Sequence, residues 1–145
     1  MPTPSTAQTH MKLYNGMAPA VDANGLVDNI AYKVNVINKV AAYTVLASES
    51  GSIFNTTGAT ASVTFTLPTK ADGLVYYFYV GADFEVLVTA DAANTMMAFN
   101  DVTATSVAFT TASEHVGGCF MVFTDGTWWY ASAMLGADSQ TITVA

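Results

Sequence analysis

The side chains able to carry nucleophilic or metal chemistry are few: one cysteine, Cys119, and two histidines, His10 and His115. A thiol or hydroxyl nucleophile needs a histidine within hydrogen-bond reach. His115 and Cys119 stand four apart in "HVGGCFMVFT" (115–124), which reads as a strand. At about 3.3 Å per residue they would share a face yet lie roughly 13 Å apart. A cysteine between Gly118 and Phe120 reads as core. Zinc needs three or four Cys, His or acidic ligands, more than this set offers. Asp83 and Glu85 share a strand face and Asp91 and Asp101 fall in loops, but no spaced Asp/Asn/Gly calcium loop is present. Nine acids after residue 40 could pair as in a glycosidase, yet nothing singles out two of them, and no arginine is present to orient a substrate. "VGG" at 116–118 lacks the lysine and helix of a phosphate loop and reads as a bulge or a close backbone approach. The expectation is a protein with no catalytic constellation, no metal and no cofactor.

The aromatic residues offer a different chemistry. "DGTWWYAS" (125–132) holds both tryptophans of the chain directly after an Asp-Gly turn signal. Strand alternation sends Thr127, Trp129 and Ala131 to one face and Trp128, Tyr130 and Ser132 to the other. Rings of this kind can pack a core, join subunits or stack on sugars.

The elements that position them are β-strands. "SVTFTLP" (62–68) alternates with Val63, Phe65 and Leu67 on one face, and Pro68 ends it. "YTVLA" (43–47), "SIFN" (52–55), "LVYYFYV" (74–80), "FEVLVTA" (84–90), "MMAF" (96–99), "SVAFTT" (106–111), 115–124, "TWWYASAML" (127–135) and "TITV" (141–144) complete the set, spaced by turn residues. "LVYYFYV" is apolar on both faces, the mark of a strand covered on both sides. This pattern predicts an all-β fold, an antiparallel β-sandwich or barrel of about eight to ten short strands over residues 41–145. Residues 1–40 read as an extended N-terminal arm: three prolines lie within the first twenty residues, and Leu13, Tyr14 and Met17 are apolar anchors. Within 24–40, Leu26, Ile30, Val34 and Ile37 fit a helical stripe while Tyr32, Val34 and Val36 alternate as in a strand, and the β-branched and Asn content favours the strand. The alternative to an arm is an ordinary first strand behind a disordered leader.

Composition narrows the partners. Charged residues make up 10% of the 145-residue chain, far below the usual share of about a quarter. Such a surface is suited to cover by other subunits, or to a Thr/Ser/Asn-rich exterior. With no arginine and four lysines, phosphate-backbone binding is disfavoured, so no nucleic-acid partner is expected. Three lysines against two acids give residues 1–40 a charge of +1, and one lysine against nine acids gives the remainder −8. No signal-peptide pattern and no stretch approaching the ~18 apolar residues of a membrane span are present, so no membrane is expected. A single cysteine forms no internal disulfide.

The order of these strands resembles a β-rich surface domain of tailed-phage virions. The resemblance rests on "YTVLASESGSIFNTTGATASVTFTLPTKADGLVYYFYV" (43–80) followed by the closing hairpin "VFTDGTWWYAS" (122–132), and covers about 100 residues from Tyr43 to near Leu135. In that pattern the closing hairpin keeps one fixed tryptophan, which falls on Trp129, and leaves the position before it variable, so Trp128 is the unusual residue. Such domains serve as capsid decoration (cement) or fibre-type proteins. The resemblance implies a non-enzymatic protein of the outer capsid surface that self-associates, as a homotrimer, and binds the major capsid protein. The alternative it implies is a head- or tail-fibre domain that binds host glycans. The expected oligomer and capsid contacts are Leu13, Tyr14, Met17, Tyr32, Val34, Val36, Trp128 and Tyr130, with Trp129 in the core.

Overall fold

The computed structural model describes residues 34–134 and 140–145, together with two short strands, β1 (Ala20–Val21) and β2 (Val27–Asp28). The chain divides into two compact units, Met1–Lys33 and Val34–Ala145. In the first, β1 and β2 pair antiparallel with each other, Ala20 opposite Asp28.

The second unit is a β-sandwich, as the alternating strands predict. Its strands are β3 (Val36–Asn38), β4 (Tyr43–Thr44), β5 (Ile53–Asn55), β6 (Val63–Thr66), β7 (Val75–Tyr79), β8 (Val86–Thr89), β9 (Met96–Ala98), β10 (Asp101–Ala104), β11 (Ser106–Phe109), β12 (Cys119–Thr124), β13 (Trp129–Met134) and β14 (Ile142–Val144). A seven-stranded sheet runs β10-β9-β13-β12-β7-β5-β3, and a five-stranded sheet runs β14-β11-β8-β6-β4. Since β3 is a strand of the larger sheet, the sandwich begins at Val34, ahead of the 40/41 boundary expected from sequence.

The pairing is mixed rather than wholly antiparallel. From β3 to β8 the chain crosses to the opposite sheet at every step, so each strand returns one position along its own sheet in the same direction. The result is a coil: β3, β5 and β7 are parallel, as are β4, β6 and β8. Val36 lies level with Ile53 and Tyr77 in one wall, and Tyr43 with Phe65 and Val88 in the other. The second half of the chain closes the sandwich with antiparallel partners, β12 on β7 and β11 on β8. Alternation in sequence fixes which face a residue takes, not which way its neighbour runs, and strand direction was therefore not readable from it.

The core lies between the sheets and is aromatic. Phe54 and Phe78, neighbours in register, stack at 5.4 Å, and Phe65 from the opposite sheet meets both, at 5.5 and 5.0 Å. Tyr76 packs on Trp129 at 6.1 Å. Phe109 and Phe120 stack at 4.3 Å across the sheets, and a Cβ on Gly118 would stand 2.7 Å from the Phe109 ring. Only glycine leaves room for that stack, which is the close approach the sequence signalled.

Three local differences follow from hydrogen bonding that periodicity does not report. The expected strand 43–47 stops at Thr44, because Glu49 accepts from the Leu46 amide and the Tyr43 hydroxyl and winds Ala47–Glu49 into a 3-10 turn. His115–Gly118 form a turn rather than a strand, and β12 starts at Cys119. β10 was not expected; it follows a two-residue turn at Phe99 and Asn100, both with positive φ (48° and 73°). That is the turn geometry hairpins prefer, but with a phenylalanine where glycine or asparagine is usual.

Candidate functional site

The closing hairpin is built around one carboxylate. Asp125 Oδ1 accepts from the amides of Thr127 and Trp128, both at 2.8 Å, and Oδ2 accepts from the Tyr130 hydroxyl at 2.9 Å. These bonds, the Trp128 amide foremost, hold the Asp125 carboxyl below its ordinary pKa. The same bond to Asp125 raises the Tyr130 phenol. Residues 125–128 thus form a fixed loop, and the phase of β13 is set from its first residue.

That phase places Trp129 inward, fully buried, as expected. Its indole Nε1 donates to Asp91 Oδ1 at 3.0 Å, where Lys70 Nζ also donates at 2.6 Å. Burial pushes the Asp91 carboxyl up, but the Lys70 and Trp129 hydrogen bonds outweigh it and the net shift is downward. Trp128 and Tyr130 are both half-buried, and Tyr130 faces outward, where its ring stacks on Phe123 at 5.1 Å.

Following the register across the seven-stranded sheet shows what surrounds Tyr130. One outward row is Val36, Ile53, Tyr77, Met121 and Ser132; the next is Asn38, Asn55, Tyr79, Cys119 and Met134. A third joins Val75, Phe123, Tyr130 and Met97. None of these outward positions on β3, β5, β7, β12, β13 and β9 carries a charge, in a chain of net charge −7. Val36 is 62% exposed, Met134 59%, Tyr79 42% and Phe123 39%. The outer face of the five-stranded sheet is different in kind: its rows read Thr44, Thr66, Thr89, Ser106 and Thr64, Leu87, Ala108, Thr143. Hydroxyls can exchange hydrogen bonds with water, whereas rings and thioethers gain nothing from exposure to it.

At one end of the apolar face a shallow groove of about 330 Å³ lies between the β9–β10 hairpin and the Phe123–Tyr130 pair. Met97, Phe99, Val102 and Ser132 also line it.

Of the expected contact residues, Leu13, Tyr14, Met17 and Tyr32 lie outside the described residues. Val36 and Tyr130 fall on the outer face of the seven-stranded sheet, Val36 on the terminal strand β3 and Tyr130 on the inner strand β13, and Val34 precedes β3. The expected subunit contacts did not include Tyr77, Tyr79, Met121, Phe123 and Met134. The signal was present: "LVYYFYV" and "CFMVFT" are apolar on both faces, and among the described residues only one face is covered.

The groups able to do acid–base chemistry lie elsewhere. His115, 4% exposed, shares a 2.8 Å hydrogen bond from Nδ1 with Asp83, whose carboxyl that bond holds below its ordinary pKa. His115 Nε2 is buried without a hydrogen-bond partner, so no hydroxyl or thiol is poised on it. Burial raises the Cys119 thiol, the opposite of nucleophile activation. Among the described residues no three His, Cys, Asp or Glu side chains cluster as a metal site, and no helix is long and apolar enough to cross a membrane. No protein-family model matches the chain, and no curated protein matches it in sequence.

Proposed function

We propose that this is a non-enzymatic capsid decoration protein of a tailed phage. It self-associates, as a trimer, on the outside of the head and reinforces the lattice of the major capsid protein. One observation carries the reading: the outer face of the seven-stranded sheet is uncharged and mostly apolar across six strands, while the outer face of the five-stranded sheet is rich in threonine. An uncharged, ring-bearing face in a chain that places its net charge of −7 elsewhere is suited to being covered by protein. The acidic body, free of arginine, suits the exterior of a particle rather than its DNA-filled interior. Purified protein mixed with phage heads lacking their decoration protein should bind stoichiometrically and raise their resistance to heat. Protein that stays in the supernatant and instead binds tail or fibre components overturns the proposal.

The groove beside Phe123 and Tyr130 favours a second reading, a fibre domain that stacks host sugars on its aromatic rings. Binding on a glycan array that is lost in Tyr130→Ala, with no binding to heads, would select it.

A further inference from the structure

We infer that the groove beside Phe123 and Tyr130 binds a single neutral hexopyranose ring, with Phe99 as its clamp and Asp101 as an acceptor for its hydroxyls. The inference rests on the second reading given above and takes it to a ligand class and to residues.

Phe99 is held against its own preference. Its φ of 48° lies in the left-handed region that bulky side chains disfavour, and Asn100 follows it at 73°. The other non-glycine residues with positive φ among the described residues are Asn94 and Ser113, both small and polar. Glycine or asparagine at position 99 would make the same turn without strain. Nor does packing account for the ring, which is 45% exposed. Strained residues that the core does not need gather at ligand clamps, and Phe99 lines the groove.

The other two rings of the lining are fixed in advance. Tyr130 stacks on Phe123 at 5.1 Å and stands level with Met97 on β9. The bond from its hydroxyl to Asp125 holds the ring, so a ligand has little ordering left to impose. A pyranose presents a face of C–H groups that packs on such rings, and hydroxyls around its rim. At about 330 Å³ the groove is at the lower end for small-molecule sites, and it is shallow. A cofactor or a lipid needs most of its surface buried and is poorly served there. A sugar ring laid on aromatic rings, with part of its rim in water, is well served.

The polar groups of the lining decide which sugar. Asp101 Oδ1 accepts from the Thr103 amide and hydroxyl, at 2.8 and 3.2 Å, while Oδ2 accepts no hydrogen bond among the described residues. An ionised carboxylate oxygen is a strong acceptor for a hydroxyl. Asn100 and Ser132, both exposed, add an amide and a hydroxyl. No lysine lines the groove, and the chain has no arginine and a net charge of −7. An acidic sugar or a phosphate would therefore meet a carboxylate with no cation to hold it, at the cost of like-charge repulsion. A neutral ring meets only acceptors and rings. One such ring is held weakly, and repeated copies of the site supply avidity.

The test is a titration of the isotope-labelled full chain, followed by nuclear magnetic resonance, with the methyl glycosides of galactose, glucose and N-acetylneuraminic acid. A neutral glycoside should shift the resonances of Phe99, Asp101 and Tyr130 saturably, and the anionic one should not. Phe99→Gly should keep or raise the Tm, because it relieves the turn, yet weaken binding about tenfold. Asp101→Asn should also weaken it about tenfold. A lower Tm in Phe99→Gly would make the ring part of the fold and overturn its role as a clamp. Binding of the anionic glycoside at the groove, or neutral binding unaffected by either substitution, overturns the inference but leaves sugar binding standing. No saturable shift with any of the three, together with a blank glycan array, removes the second reading as well. Shifts at the same residues on dilution without sugar make the groove a subunit contact and overturn both.

Discussion

Met121 sits near the centre of the uncharged face, level with Tyr77 on β7 and Ser132 on β13, and is half-buried in the single subunit. Met121→Glu places one carboxylate there. In the monomer that group reaches water, no acid occupies the outward rows around it, and the cost to folding should stay within about 1 kcal/mol. Covered by a second subunit, it loses its hydration and finds no lysine, since the face holds none. A buried charge left without a partner costs about 3–5 kcal/mol. Even the lower figure weakens association about 150-fold at 1.4 kcal/mol per decade. Sedimentation velocity across a dilution series, with thermal unfolding in parallel, measures both quantities. Thr66→Glu, on the hydroxyl-lined face of the other sheet, is the matched control and should leave association unchanged. The loss is one of desolvation, so 1 M salt should not restore it. Association of Met121→Glu at the parent constant would refute the assignment of this face, and a large drop in Tm would place Met121 in a core instead.

Three further outcomes test the packing beneath. Trp129→Ala should cost roughly 3–5 kcal/mol by urea unfolding and deprive Asp91 of a donor, whereas Trp128→Ala should spare the fold and weaken assembly; the reverse order would invert the face assignment. Asp91 has its pKa lowered in the folded state, so the stability it contributes is present above the ordinary carboxylate pKa near 4 and is lost as pH falls through the folded value. Asp91→Asn should therefore cost about 1–3 kcal/mol at pH 7 and flatten the acid limb of a stability–pH profile; an unchanged limb would assign it to other carboxylates. Gly118→Ala drives a methyl into the Phe109 ring and should destabilise by about 1–3 kcal/mol, with near-ultraviolet circular dichroism reporting the disturbed Phe109–Phe120 stack.

What could be read from the sequence was facing, and what could not was direction. Val63, Phe65 and Leu67 alternate because one side of β6 meets the core, and they are buried as their spacing says. Trp129 took its expected side because the Asp-Gly loop fixes the phase of β13. Parallel pairing leaves no such trace: Ile53 is as apolar beside a parallel Tyr77 as it would be beside an antiparallel one. β10 stayed hidden because its turn uses Phe99 where a glycine signal was sought, and His115 looked strand-like because its bond to Asp83 cannot be seen in the order of residues. The apolar outer face was visible strand by strand, in "LVYYFYV" and "CFMVFT". It became a surface only when the register set those strands in rows.

The coil also dictates an order of events in folding. Its pairings join residues close in sequence, 17 apart for Val36 with Ile53 and 24 for Ile53 with Tyr77. Each turn can therefore form on the last with little loop-closure entropy, as in repeat proteins. The parallel pairing of Trp129 with Met96, 33 residues apart, must await both the coil and the hairpin that carries the tryptophan. Opening should run the other way: among the described strands β3 and β4, short and each paired with a single neighbour, should be the first part of the coil to fray, and their amides should exchange with solvent soon in the isolated subunit. If assembly covers this end of the sheets, it would be felt there as slowed exchange before it is seen as a change of shape.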